Sequence, residues 1–229
     1  MAIFLSTSRC RGQAPPTIER ALRAEGVGLS DKALLAALQD PKERVRGMAA
    51  VLLAQHRYLP AIPALNVALQ REPDPAGRLE LAGALDLLGG TSGLSALEAL
   101  CNDPRLPPDL RLDAAERSLA HGGGACAAAT AGVLSASDNP AIQEAALYYL
   151  LQGRLPASAI DPGSADLQKG IHSALDSEVA AVRAGSAECI GKFRVVSERS
   201  HLLTVMQAES DAKTKAVMQK SFGELPTHE

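Results

Sequence analysis

The stretch DPKERVRGMAA, Asp40 to Ala50, decides how this chain folds. An Asp-Pro pair and Val45 precede an arginine, Arg46, and the small apolar residues Ala49, Ala50 and Leu53 follow it. The same arrangement returns at Arg78, after Pro73-Asp74 and before Leu81, Ala82 and Leu85. It returns at Arg111, after Pro108-Asp109, and at Gln143, after Asp138-Asn139-Pro140. Arg183 and Lys215 centre two more copies, so the six anchors are spaced by 32, 33, 32, 40 and 32 residues. Such a series marks an internal repeat. Within each copy the offsets +3, +4 and +7 from the anchor are mostly apolar, the one-face pattern of an amphipathic helix.

A second apolar set lies upstream of each anchor, as at Leu34, Leu35 and Leu38, or Ile171 and Leu175. Between the two sets sits a short turn rich in Asp, Pro and Ser. Asp and Ser accept hydrogen bonds from the free N–H groups of a helix start, and Pro is tolerated in a first turn. Breakers separate the copies: Pro60 and Pro63, Gly89-Gly90, Gly122-Gly123-Gly124, then Gly153 and Pro156. Each copy is therefore a helical hairpin of about 32 residues. Composition agrees. The apolar share of 46% is mostly Ala and Leu, with only 3% aromatic residues, which favours helix and excludes an all-β sandwich. The reading predicts an all-α protein, a right-handed α/α superhelix of six hairpins over residues 31–225. An N-terminal arm with a possible short helix occupies 1–30, and 226–229 form a frayed end.

The D-P-x-x-x-V-R-x-x-A-A run at Asp40 to Ala50 and the A-V-R-x-x-S-A run at Ala181 to Ala187 resemble HEAT-like repeats, in the short class also found in phycobilisome lyases. The resemblance implies the solenoid fold and says little about activity. Gln143 and Lys215 depart from the arginine pattern, which predicts a looser fourth unit and an atypical terminal one. The anchor arginines read as scaffold. From the first turn of the second helix a guanidinium reaches the neighbouring turn, where carboxylates such as Asp40 or Asp74, or carbonyls, accept its hydrogen bonds.

Motifs of known chemistry fail on inspection. His121-Gly122-Gly123-Gly124 matches an esterase oxyanion motif in letters, but no G-x-S-x-G accompanies it. Gly185 to Lys192 nearly spells a phosphate-binding loop, yet has five intervening residues and Phe193 where Ser or Thr is needed. The five histidines show no HxxxH or HExxH spacing, so no metal site and no cofactor is expected. The four cysteines form no CxxC pair, and Cys101, Cys126 and Cys189 read as small apolar fillers on helices. Net charge of −3 and the absence of Trp argue against nucleic-acid binding. No apolar run reaches the ~18 residues of a membrane span. The stretch Arg9 to Pro16 reads as a tether, and a cytoplasmic location is the default expectation, although a removed leader would leave no trace.

These exclusions point to a non-enzymatic scaffold that binds a protein or peptide partner on the concave face lined by the second helices. The alternative is a lyase-like or other ligand-handling enzyme using the same groove. Offsets +2, +5, +6 and +9 are expected to turn away from the apolar stripe. They single out Tyr148, Tyr149, Gln152, Glu188, Lys192 and Arg117 as partner-binding candidates. Tyrosine combines contact area with a polar tip. The other reading of the tyrosine pair is that one is core and its neighbour caps it. The insertion within Gly153 to Asp166 is either a recognition loop or a plain connector.

Overall fold

The computed structural model describes residues 17–119, 124–152 and 154–226. The expected tether at Arg9 to Pro16, the His121-Gly122-Gly123 turn, Gly153 and the last three residues of the expected frayed end lie outside the described residues. Among the described residues there are thirteen α-helices and no strand. Helix α1 (Ile18–Ala24) is followed by six hairpins: α2 (Asp31–Ala37) with α3 (Glu43–Gln55), α4 (Ile62–Arg71) with α5 (Pro75–Leu87), and α6 (Thr91–Asn102) with α7 (Pro108–Leu119). Then come α8 (Ala127–Ala136) with α9 (Pro140–Leu151), α10 (Ala165–Leu175) with α11 (Ala180–Phe193), and α12 (Arg199–Ala208) with α13 (Ala212–Glu224).

The turns work as their residues predict. Asp74 accepts from Ala76 N and Gly77 N, Asn139 from Ala141 N, and Asp211 from Thr214 N, while Pro75 and Pro140 open their helices without needing a donor. At the far end of α11 the chain reverses through Arg194 at φ 54°, with Val195 N bonded to Ile190 O, a Schellman-type closure that glycine normally provides.

The core is a continuous file of leucines and alanines between the two helix layers, including the fully buried Leu34, Leu65, Leu97, Leu134 and Leu167. Helices meet backbone to backbone where glycine allows it. A Cβ on Gly93 would lie 2.5 Å from Asp86 N, and one on Gly170 2.7 Å from the Leu134 side chain. Helix α1 packs on α3 and sinks Leu22 into the core, so this part of the expected arm extends the stack.

One expectation changes. Cys101, at the end of α6, and Cys126, just before α8, are a disulfide pair with Cα atoms 5.8 Å apart. They join hairpins three and four and are not simple fillers. The end of one first helix lies beside the start of the next, a proximity that sequence spacing of 25 residues does not display. Cys189 alone is the expected buried thiol, and desolvation pushes its pKa well above the usual thiol range. Of the two readings of the insertion between α9 and α10, the structure favours the plain connector: its buried residues fold down onto the stack. Its Leu155 and Ile160 are buried, and its 3-10 turn, Ala157–Ala159, packs on α11. It is a packed connector.

Candidate functional site

The anchors sit at the start of each second helix and close the turn they belong to. Arg46 donates to the carbonyls of Asp40 (2.8 Å) and Pro41 (3.0 Å), and Arg183 repeats this on Ser177 (2.9 Å) and Glu178 (3.0 Å). Each guanidinium also makes a two-pronged bond to a glutamate of the next hairpin, Glu72 for Arg46 and Glu209 for Arg183. These carboxylates are 0% and 1% exposed. The acceptors are thus glutamates, while Asp40 accepts from Lys42 N and Asp74 caps α5. Gln143 and Lys215 keep the carbonyl bond six residues upstream, to Ser137 (3.0 Å) and Glu209 (3.4 Å). Arg111 turns instead to the carbonyls of Cys101 and Ala129.

Arg78 breaks the series. Its buried Nε has no hydrogen-bond partner. The position 26 residues on, Glu72 and Glu209 in the other two cases, is here Pro104. Arg78 lines an open cleft of about 700 Å³ with Pro75, Asn102, Asp103 and Arg105. Asp103 is engaged by Arg105, whose guanidinium holds its pKa down to about 2.

The six candidate partner residues do not form one free surface. Tyr148 stands 59% exposed, but Tyr149 is 5% exposed and belongs to the core. Offset +6 was expected to face out. It is buried at Leu52, Ala84, Tyr149 and Cys189 alike, because each second helix packs on its own partner and on the second helices either side. Leu155 of the insertion lies with Tyr149 around a small cavity. The Tyr149 hydroxyl has no partner among the described residues, and its ring meets Tyr148 edge-on, 6.4 Å between centroids. Lys192 donates to the carbonyls of Leu150 and Gln152, both at 2.9 Å, so it closes the end of α9, and burial lowers its pKa. Gln152 folds back on the Tyr148 carbonyl at 3.3 Å. Arg117 reaches across to α5, pairing with Glu80 at 2.8 Å over the space that Gly83 leaves.

What remains outward is Tyr148 and Glu188. They share offset +5 with Glu116, one helix earlier, and all three are exposed on the adjoining helices α7, α9 and α11. A tyrosine therefore stands between two carboxylates in one row. Asp113 adds to the negative side: burial raises its pKa, Arg117 opposes the shift, and Glu116, Asp109 and Glu80 add to it. Metal-ligating groups converge elsewhere, in the first-helix layer, where His172, Asp176 and His201 bring ligand atoms within 4.8 Å of one another. The histidine spacing gave no warning of this cluster, since His201 comes from the next hairpin.

Residues 32–120 match the family model for HEAT repeats. No curated protein matches the chain. Among solved structures the chain is similar to the complex of CpcE and CpcF of phycocyanin lyase from Nostoc sp. PCC7120. The identity is 21% and the TM-score 0.48, over 94% of this chain and 80% of that one. No helix of the described residues is long and apolar enough to cross a membrane. Residues 32–120 thus carry the HEAT-repeat sequence pattern, and the described residues fold as an all-helical stack of capped, paired helices consistent with a HEAT-repeat solenoid.

Proposed function

We propose that the protein is a non-enzymatic scaffold that grips a protein or peptide partner on the α7–α9–α11 face of its second helices. One observation carries this reading: Tyr148 is exposed, in register between the exposed carboxylates Glu116 and Glu188. A partner suited to that row offers an apolar or aromatic group to the Tyr148 ring and basic groups on either side. The ring supplies the anchor, and the rim carboxylates supply orientation and a moderate salt dependence.

The test is a peptide array probed with wild type and with Tyr148→Ala, alongside melting curves. The expected result is a set of basic peptides with an apolar centre, bound by wild type. Tyr148→Ala weakens that binding about thirtyfold, the loss of ~2 kcal/mol typical of a hot-spot tyrosine, with unchanged melting. Binding that ignores Tyr148→Ala, or no selection of basic peptides, sinks the reading.

A further inference from the structure

We propose that His172, Asp176 and His201 form a surface site for a divalent transition-metal ion, zinc by ligand type, with Glu198 as its buried support. His172 lies in the last turn of α10 and Asp176 caps that helix, so the two sit one turn apart on one side. His201 enters from the first turn of α12, and Glu198 from the 3-10 turn just before it. The two imidazole rings lie against each other, 4.1 Å between centroids and 36° apart.

Glu198 organises the cluster. Its Oε2 accepts from Nδ1 of His172 at 2.9 Å and from Nδ1 of His201 at 3.2 Å, and its side chain is only 11% exposed. A carboxylate that holds Nδ1–H of a histidine fixes the tautomer whose Nε2 carries a lone pair, the arrangement found behind histidine ligands in metal sites. The 2.9 Å contact fixes the His172 ring in this way. His201 lies between two carboxylates, since its Nε2 also faces Oδ1 of Asp176 at 2.8 Å. A neutral ring has one N–H, so one of its two contacts sets a lone pair against an anion unless a positive charge lies between them. A second ring proton meets the need, and so does a metal ion that displaces it.

The ligand set fits zinc: two imidazole nitrogens and one carboxylate, with a fourth position open to water or to a partner's side chain. Two ligands about 2.0 Å from a tetrahedral ion are roughly 3.3 Å apart. Asp176, 56% exposed at its helix end, therefore moves out by a few tenths of an ångström. Two carboxylates and two neutral imidazoles leave the loaded site uncharged.

The experiment titrates zinc into the metal-stripped full-length chain by calorimetry, and records the absorption spectrum of the cobalt(II) form. The expected result is one equivalent bound at micromolar zinc. The cobalt form should give visible bands without a thiolate charge-transfer band, which separates this site from the chain's cysteines. Asp176→Asn and His172→Gln, both at exposed side chains, each weaken binding tenfold or more. His56→Ala, at a histidine paired with Asp31 and remote from this cluster in the chain, leaves it unchanged. His201→Ala abolishes binding where the variant folds. Saturation reached only at millimolar zinc, a thiolate band, or affinity unaltered in Asp176→Asn and His172→Gln overturns the proposal.

Discussion

Reducing the Cys101–Cys126 bridge is expected to cost this protein more than any single side-chain contact on its surface. The bridge closes a loop with a sequence separation of 25 residues, which includes the whole of α7. For a loop of that length the chain-entropy relation gives about 12 cal/mol/K, or about 3.5 kcal/mol at room temperature. Both sulfurs are buried, and neither cysteine needs to move for the bridge to form. The assay is urea unfolding followed by circular dichroism, with and without a phosphine reductant, repeated on Cys101→Ala/Cys126→Ala. With a slope of about 2.5 kcal/mol/M the midpoint should fall by about 1.4 M on reduction. The double variant should sit at the lower midpoint and ignore the reductant. A thiol titration of the unfolded chain should count two fewer thiols before reduction than after it. Equal counts, or a midpoint indifferent to reductant, would refute both the bridge and the reasoning from it.

Three further outcomes follow from the anchors and the tyrosine pair. Arg46→Ala strands the buried Glu72 carboxylate and should cost about 3–5 kcal/mol, whereas Arg78→Met, which removes an unpartnered Nε, should cost little or stabilise; equal losses in urea melts would contradict the difference drawn between them. Glu72 and Glu209 have pKa values held below the ordinary 4.5, chiefly by hydrogen bonds from Arg46 and Arg183. Their contribution is therefore full above the unfolded value and is lost as pH falls through the lower folded values, so acid unfolding should steepen below about pH 4.5 and flatten in Glu72→Gln/Glu209→Gln. Tyr149→Phe removes a buried hydroxyl without a partner and should raise stability by about 1 kcal/mol in thermal melts, while a loss would show that the hydroxyl is satisfied.

Much of the architecture is legible in the chain because hairpin formation is local. Asp74, Asn139 and Asp211 cap the helices that follow them, and offsets +3, +4 and +7 find their own partner helix within the same 32 residues. What escapes sequence reading depends on contacts between hairpins. Offset +6 looks outward on a single amphipathic helix, yet Tyr149 and Cys189 are buried there by the neighbouring second helices. Cys101 meets Cys126, and His172 meets His201, only because the end of one first helix lies beside the start of the next. One signal was present in the letters: Pro104 stands where Glu72 and Glu209 serve the other anchors, and it leaves Arg78 without an acceptor.

The joints of this stack are fastened by different chemistry at different places. Arg46–Glu72 ties the first two hairpins and Arg183–Glu209 the last two, whereas a covalent bridge ties the middle pair. Protons act on the Arg46–Glu72 and Arg183–Glu209 pairs, whereas a reductant acts on the Cys101–Cys126 bridge. Glu116 and Tyr148 stand on opposite sides of the bridged joint, on α7 and α9. The same chain is therefore expected to hold this row more firmly where thiols are oxidised than where they are reduced.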